Sequence, residues 1–215
     1  TVEWDKMNWQ AIDDQMARCG PMLRDEIGLR GVECTELATT MADEIAPHLD
    51  AIAVDVATIA DIPLRKRFEE MLAFQRYMDW VNGVSDHLGE MRPIVTRMQV
   101  LAQSYFGFVY LKDNLLQALR SHVAQTTVTA RCCNYLLSPP QVQFRHAVAH
   151  GNWCYLDDFS GLEYWARSAR GKPNARYVVS DAHLGFWQSL ARCVGYVSLQ
   201  SLHDRDTQQE DGQGR

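Results

Sequence analysis

Apolar residues recur at spacings of three and four over long stretches of this chain, a period that commits it to amphipathic helices packed on one another. Residues 33–60 (ECTELATTMADEIAPHLDAIAVDVATIA) are rich in Ala, Leu and Glu and read as one long helix, kinked where Pro47 removes a backbone donor. Asp61 and Pro63 then mark a second helix start, followed by Leu64, Phe68, Met71, Phe74, Met78 and Val81; Asn82-Gly83 weakens its end. A third stripe follows Pro93: Ile94, Met98, Leu101, Tyr105, Phe108, Leu111 and Leu115. All three are read as bundle core rather than as a cofactor box. With 47% of 215 residues hydrophobic, there is ample apolar material for one large domain.

The later chain is punctuated differently. Ser138 is a good N-cap, Pro139 suits a first helical position, and Gly151 is a natural left-handed terminator, so a short helix is expected between them. Beyond it come GLEYWARS, ARGKPN and ARYVVS, two aromatic and β-branched runs around a turn, which read as a β-hairpin over about 162–179. Asp181 is expected to cap a final helix carrying Leu184, Trp187, Leu190, Val194 and Val197. Residues 203–215 (HDRDTQQEDGQGR) read as a disordered polar tail. The expected fold class is therefore all-α: a helical bundle with a late β-hairpin insertion before the last helix, in one domain over 1–202.

Twenty-one basic against 27 acidic residues give a net charge of −6, which excludes a protein that coats nucleic acid through a general basic surface. The charge is segregated, however. Residues 1–119 carry a net −8 and residues 180–215 a net −2, whereas residues 120–179 hold seven basic side chains against three acidic, a net +4. That segment is the expected seat of an anionic ligand. No run of 18 apolar residues exists, so no membrane span is expected, and the opening TVEWDKMNWQ lacks the pattern of a signal peptide. Six cysteines without a CxxC spacing are read as reduced thiols in the cytoplasm, serving as small buried hydrophobes.

Chemical interest concentrates in Arg145-His146-Ala147-Val148-Ala149-His150. With Arg145 set to zero on a helical wheel, His146 falls at about 100° and His150 at about 140°, while Phe144, Ala147 and Val148 fall at about 260°, 200° and 300°. The helix would press an apolar face inward and present one guanidinium and two imidazoles outward. Imidazole can take a proton from a ribose 2′-hydroxyl or give one to a leaving 5′-oxygen. Guanidinium can hold a phosphate through two hydrogen bonds and stabilise developing charge. That route needs no metal and no cofactor. A single helix supplies few such groups, so a second copy across a twofold axis is a natural complement.

FRHAVAHGNW resembles the signature of the HEPN superfamily: an Arg, four to six residues of which the first is polar, then His, at the end of a short helix after a helical bundle. The resemblance covers roughly 90–200. It implies an all-α bundle, a homodimer whose two motifs face one another, and a metal-independent endoribonuclease that leaves a 2′,3′-cyclic phosphate. It also implies a place in toxin–antitoxin, abortive-infection or other defence systems, with RNA as substrate and an antitoxin as possible partner. On that resemblance Arg145 binds or activates the scissile phosphate, His150 transfers the proton, and His146 orients or assists them. Other members of the family bind nucleotides or partners without cutting RNA, which gives the alternative reading, a non-catalytic module.

Other features have plainer roles open to them. An isolated arginine is usually a surface or ion-paired residue, and a lone terminal histidine a helix cap. His146 and His150 stand at the i and i+4 spacing of two zinc ligands, with Cys154 or Asp157 as a third. The Ala-Val-Ala between them lacks the Glu of a metalloprotease, and no metal is expected. Arg167, Arg170, Lys172 and Arg176, interleaved with Tyr164, Trp165 and Tyr177, suit either an RNA strand or a solvated turn above core aromatics, with the turn slightly favoured. Arg120 and His122 are candidates to reach the site, Trp153 is expected to close the helix end, and Asp157-Asp158 to form a turn or cap.

Overall fold

Pro47 divides the first long helical segment as its missing amide demands. In the computed structural model, which describes residues 14, 16–18, 20–29, 34–59, 115–158, 160–167 and 173–213, helix α1 spans Gly20–Glu26 and α2 spans Cys34–Ile45. A 3₁₀ turn at Ala46–His48, with the proline in its first positions, then leads into α3, Leu49–Ile59. The helices expected after Asp61 and after Pro93 lie outside the described residues, except that Leu115 opens α4, Leu115–His122. Helix α5 follows at Val128–Leu136 and α6 at Pro139–Ala149. Strands β1 (Trp153–Tyr155), β2 (Gly161–Arg167) and β3 (Pro173–Ser180) precede a last helix, α7, Asp181–Gln213.

The fold is not all-α. Although 73% of the described residues are helical, the chain also builds a three-stranded antiparallel sheet in the order β1-β2-β3. The expected hairpin forms its β2–β3 half. The third strand escaped the sequence because Trp153–Tyr155 is too short to show an alternating pattern, and it gains its strand geometry only from pairing Trp153 with Tyr164 and Tyr155 with Leu162. Leu162, Tyr164 and Val179 are buried on the sheet's inner face, while Val178 and Arg176 are exposed on the other.

Helix α7 is the hub. From Phe186 to Leu199 every side chain except that of Arg192 is buried, as expected of a helix that is covered on all sides. It packs on α2, α3, α5 and β3. Its cap is Ser180 rather than Asp181: the His183 amide donates to the Ser180 hydroxyl at 3.3 Å, and the Asp181 amide is taken by the carbonyl of Ser160 at 3.0 Å. Nor does the helix stop at 202. It continues through the segment expected to be a polar tail as far as Gln213, and Arg205 pairs with Asp50 of α3 at 2.7 Å.

Glu44 ties α2 to α5. Its carboxylate accepts from the amides of Val128 and Thr129 at 2.9 and 2.8 Å and from the Thr129 hydroxyl at 2.7 Å. Thr127 adds the ordinary N-cap, accepting from the Ala130 amide at 3.1 Å. Together they occupy the free donors of the first helical turn with an anion and a hydroxyl.

Candidate functional site

Helix α6 is held by its apolar side. Phe144 and Ala147 are buried, and the Phe144 ring meets Tyr164 and Trp187 edge-on at centroid distances of 5.6 and 5.8 Å. The Tyr164 hydroxyl donates to the carbonyl of Pro140 at 2.9 Å, fixing the start of the helix to the sheet. There the Ser138 hydroxyl donates to Oε1 of Gln141, three residues on.

The helix ends where its glycine allows. Gly151 takes a φ of +66°, and the Asn152 amide reaches back to the carbonyl of Ala147 at 2.8 Å, the six-to-one bond of a Schellman stop. The chain leaves that stop directly into β1. The Asn152 carbonyl then accepts from the Trp165 amide at 3.0 Å, joining helix end to β2.

This joint creates a cleft of about 500 Å³, lined by Gln143, His146 and His150 from the helix side and by Asn152, Trp165 and Ala166 from the sheet side. Gln143, His146 and His150 follow the i, i+3, i+7 spacing of one helix face. Both imidazoles are exposed. Arg145 lies one position before His146 on the same helix, about 100° round an ideal wheel, and its side chain is not among those described.

The opposite wall is aromatic and polar. The Trp165 indole has the Arg176 guanidinium 5.6 Å from its ring centroid, and Arg176 is itself paired with Glu163 at 2.8 Å. Asn152 is only 5% exposed, and its Oδ1 has no hydrogen-bond partner among the described residues. A buried, unsatisfied acceptor is uncommon in a folded chain. Compared with protein families, with curated proteins and with solved structures, the chain matches none.

Other sequence candidates are engaged elsewhere. His122 pairs with Asp55 of α3 at 2.7 Å, Arg120 donates to Gln117 at 2.8 Å, and neither lines the cleft. Asp158 forms a turn, accepting from the amide and hydroxyl of Ser160 at 2.9 and 2.7 Å. Trp153 packs against the core and meets Tyr155 edge-on at 5.5 Å. Tyr164 and Tyr177 stack at 5.3 Å on the inner face of the sheet, whereas Arg170 and Lys172 lie outside the described residues and the Arg167 side chain is not among those described.

Among the described residues no three His, Cys, Asp or Glu side chains come close enough to hold a metal ion. None of their helices is long and apolar enough to cross a membrane. Cys132, Cys133 and Cys193 are buried thiols, as expected, but Cys154 is exposed. Burial pushes the Cys133 thiol up to about 12 and the Cys132 thiol well above its usual range.

Sequence reasoning missed Gln143 and Asn152. Gln143 had a signal, its helical register with His146 and His150. Asn152 had none, because its burial arises only when β2 closes over the residue after the helix stop.

A second polar cluster also escaped the sequence. His183 lies 2.8 Å from the Ser180 hydroxyl and 2.6 Å from Glu26 of α1; Glu26 also accepts from Tyr135, whose hydroxyl accepts from the Trp187 indole at 2.9 Å. Burial and the Glu26 carboxylate push the Tyr135 phenol up. The chain of contacts laces α1, α5 and α7 together.

Proposed function

We propose that this chain is a metal-independent endoribonuclease of HEPN type, working as a homodimer at the α6 cleft. The observation that supports the reading is the pair His146 and His150, both exposed and both lining one cleft. His150 takes the proton of a ribose 2′-hydroxyl as the 2′-oxygen bonds to phosphorus. The bond from phosphorus to the 5′-oxygen breaks, and the matching imidazole of a second copy returns a proton to that oxygen. The products are a 2′,3′-cyclic phosphate and a 5′-hydroxyl. Arg145 neutralises the phosphate, and His146 orients it. Such an activity suits a toxin or a phage-defence component restrained by an antitoxin.

The test is cleavage of varied RNAs in excess EDTA by the wild type, Arg145→Ala and His150→Ala. Loss of a positioned general base lowers such rates by about 10²–10⁴-fold, and both variants are expected to fall in that range. Equal cleavage by all three proteins refutes the assignment, as does a rate abolished by EDTA. Trp165 and Asn152 bind rather than react, which favours one second reading, a nucleotide-binding module without cleavage. Nucleotide binding with every RNA left intact would select it.

A further inference from the structure

The two sides of the cleft differ in chemistry. Proton-transfer groups stand on the helix; the sheet side offers an indole and a carboxamide, neither of which can move a proton at neutral pH. The carboxamide is unusually placed. Asn152 is 5% exposed, yet its Oδ1 accepts nothing from any described residue. Folding normally pairs such an atom, so an enclosed acceptor left unpaired in a residue that lines a cleft is a candidate to meet a donor from a ligand.

Its position is fixed. The Asn152 amide bonds to Ala147 at 2.8 Å, and its carbonyl accepts from Trp165 at 3.0 Å. The second of these bonds joins its backbone to the residue whose indole lines the same cleft. Arg176, held by Glu163, in turn lies 5.6 Å from that ring's centroid. A flat, rigid surface in the same cleft as an unpaired carboxamide oxygen suits a flat ligand with an N–H on its edge. The volume of about 500 Å³ is that of a small-ligand site.

We propose that Asn152 and Trp165 form a nucleobase subsite, in which a base stacks on the indole and donates an exocyclic amine proton to Oδ1. The assignment rests on the cleft being an RNA site, and it names what that site reads. An exocyclic amine projects beyond the ring and reaches a recessed oxygen without bringing a ring acceptor along. Uracil has no such amine; its N3–H is flanked by two carbonyl oxygens that repel a bare acceptor. Adenine, cytosine or guanine is therefore taken in preference to uracil. Gln143, on the facing helix, offers one donor and one acceptor to the rest of the edge.

The experiment is calorimetric titration of the full chain with AMP, CMP, GMP, UMP and, as a base-free control, ribose 5-phosphate. At least one amino-bearing nucleotide is expected to bind ten-fold or more tightly than UMP and ribose 5-phosphate. Asn152→Leu and Trp165→Ala should each weaken that binding about ten-fold or more, base stacking on an aromatic being worth roughly 5- to 150-fold. Trp165→Phe, which keeps a ring, should lose less than Trp165→Ala, so a folding defect is separated from a lost contact. Binding of UMP as tight as that of the other three overturns the subsite. So does unaltered binding by both disruptive variants, or no nucleotide binding by the wild type.

RNA cleavage, measured in parallel, tells the two readings apart. Base-selective binding without cleavage keeps the subsite and removes the nuclease. Cleavage with binding that ignores both substitutions keeps the nuclease and removes the subsite.

Discussion

Replacing Asn152 with leucine should stabilise this protein, against the usual direction of a buried substitution. The two side chains are close in size, so the change neither opens a large cavity nor forces the site apart. It removes an enclosed acceptor, in a residue only 5% exposed, that has no partner among the described residues. Leaving such a group unpaired costs about 1–3 kcal/mol. Leucine adds apolar burial, and the residue after a left-handed helix stop commonly makes a hydrophobic contact with the last turn. The backbone bonds of residue 152, to Ala147 and from Trp165, do not depend on its side chain. A gain of about 1–2 kcal/mol follows, which for a chain of this size raises the melting temperature by about 2–8 °C. Urea denaturation followed by circular dichroism, with a calorimetric scan of the same samples, measures both quantities. A melting temperature lowered by several degrees refutes the reasoning, because it would mean the amide has a structural partner. A rise in stability joined to weaker nucleotide binding is the pattern of a group kept for function at some cost in stability.

Glu44→Ala removes three charge-assisted bonds from the start of α5 at once; a loss of about 1.5–3 kcal/mol in urea unfolding is expected, and a loss under 0.5 kcal/mol would deny the carboxylate its capping role. Two structurally demanding glycines, Gly151 and Gly161, should separate by mechanism. Gly151→Ala meets nothing within 4 Å and bears only its +66° φ, costing about 1–2 kcal/mol, whereas at Gly161 a Cβ would lie 2.2 Å from the Val179 carbonyl oxygen and break the β2–β3 pairing. Equal stabilities for the two variants, from the same unfolding assay, would reject that distinction. Stability should also fall with alkali. The Cys133 thiol titrates near 12 in the folded chain against 9 for an ordinary one, so between those values the unfolded state holds fewer protons. The slope is negative, about 1.4 kcal/mol per pH unit per thiol, and the contribution is flat below about pH 8. A urea midpoint unchanged from pH 8 to 10.5 would contradict it.

What the sequence made legible was local. Pro47 broke its helix, Gly151 stopped α6, and Phe144 and Ala147 turned inward because each obeys a rule that operates within one or two turns of backbone. The failures were of two kinds. Trp153–Tyr155 becomes a strand only through a partner later in the chain, and the polar stretch after residue 202 is helical as the continuation of a helix already nucleated and buried upstream. The candidate site divided the same way. His146 and His150 were visible as a helical pair, and Gln143 had the register to join them. Asn152 is an ordinary post-helix residue until β2 seals it.

That division bears on how such a cleft would work. The helix side and the sheet side are not independent surfaces: Phe144 packs on Tyr164, Tyr164 bonds to Pro140, and Asn152 bonds across to Trp165. The helix face and the sheet wall of the cleft are therefore held at a fixed spacing by buried contacts on both ends of α6, so little ordering would remain to be done if a ligand entered. The net −6 of the whole chain fits this arrangement better than a basic surface would. A uniformly basic body would retain RNA anywhere along its length, with an affinity set by phosphates alone. An acidic body with a +4 segment would confine attraction for such a ligand to the part of the chain that carries α6, β2 and β3. On the proposed reading, selection would then fall to contacts that phosphate charge cannot supply, a ring against Trp165 and a proton for Asn152.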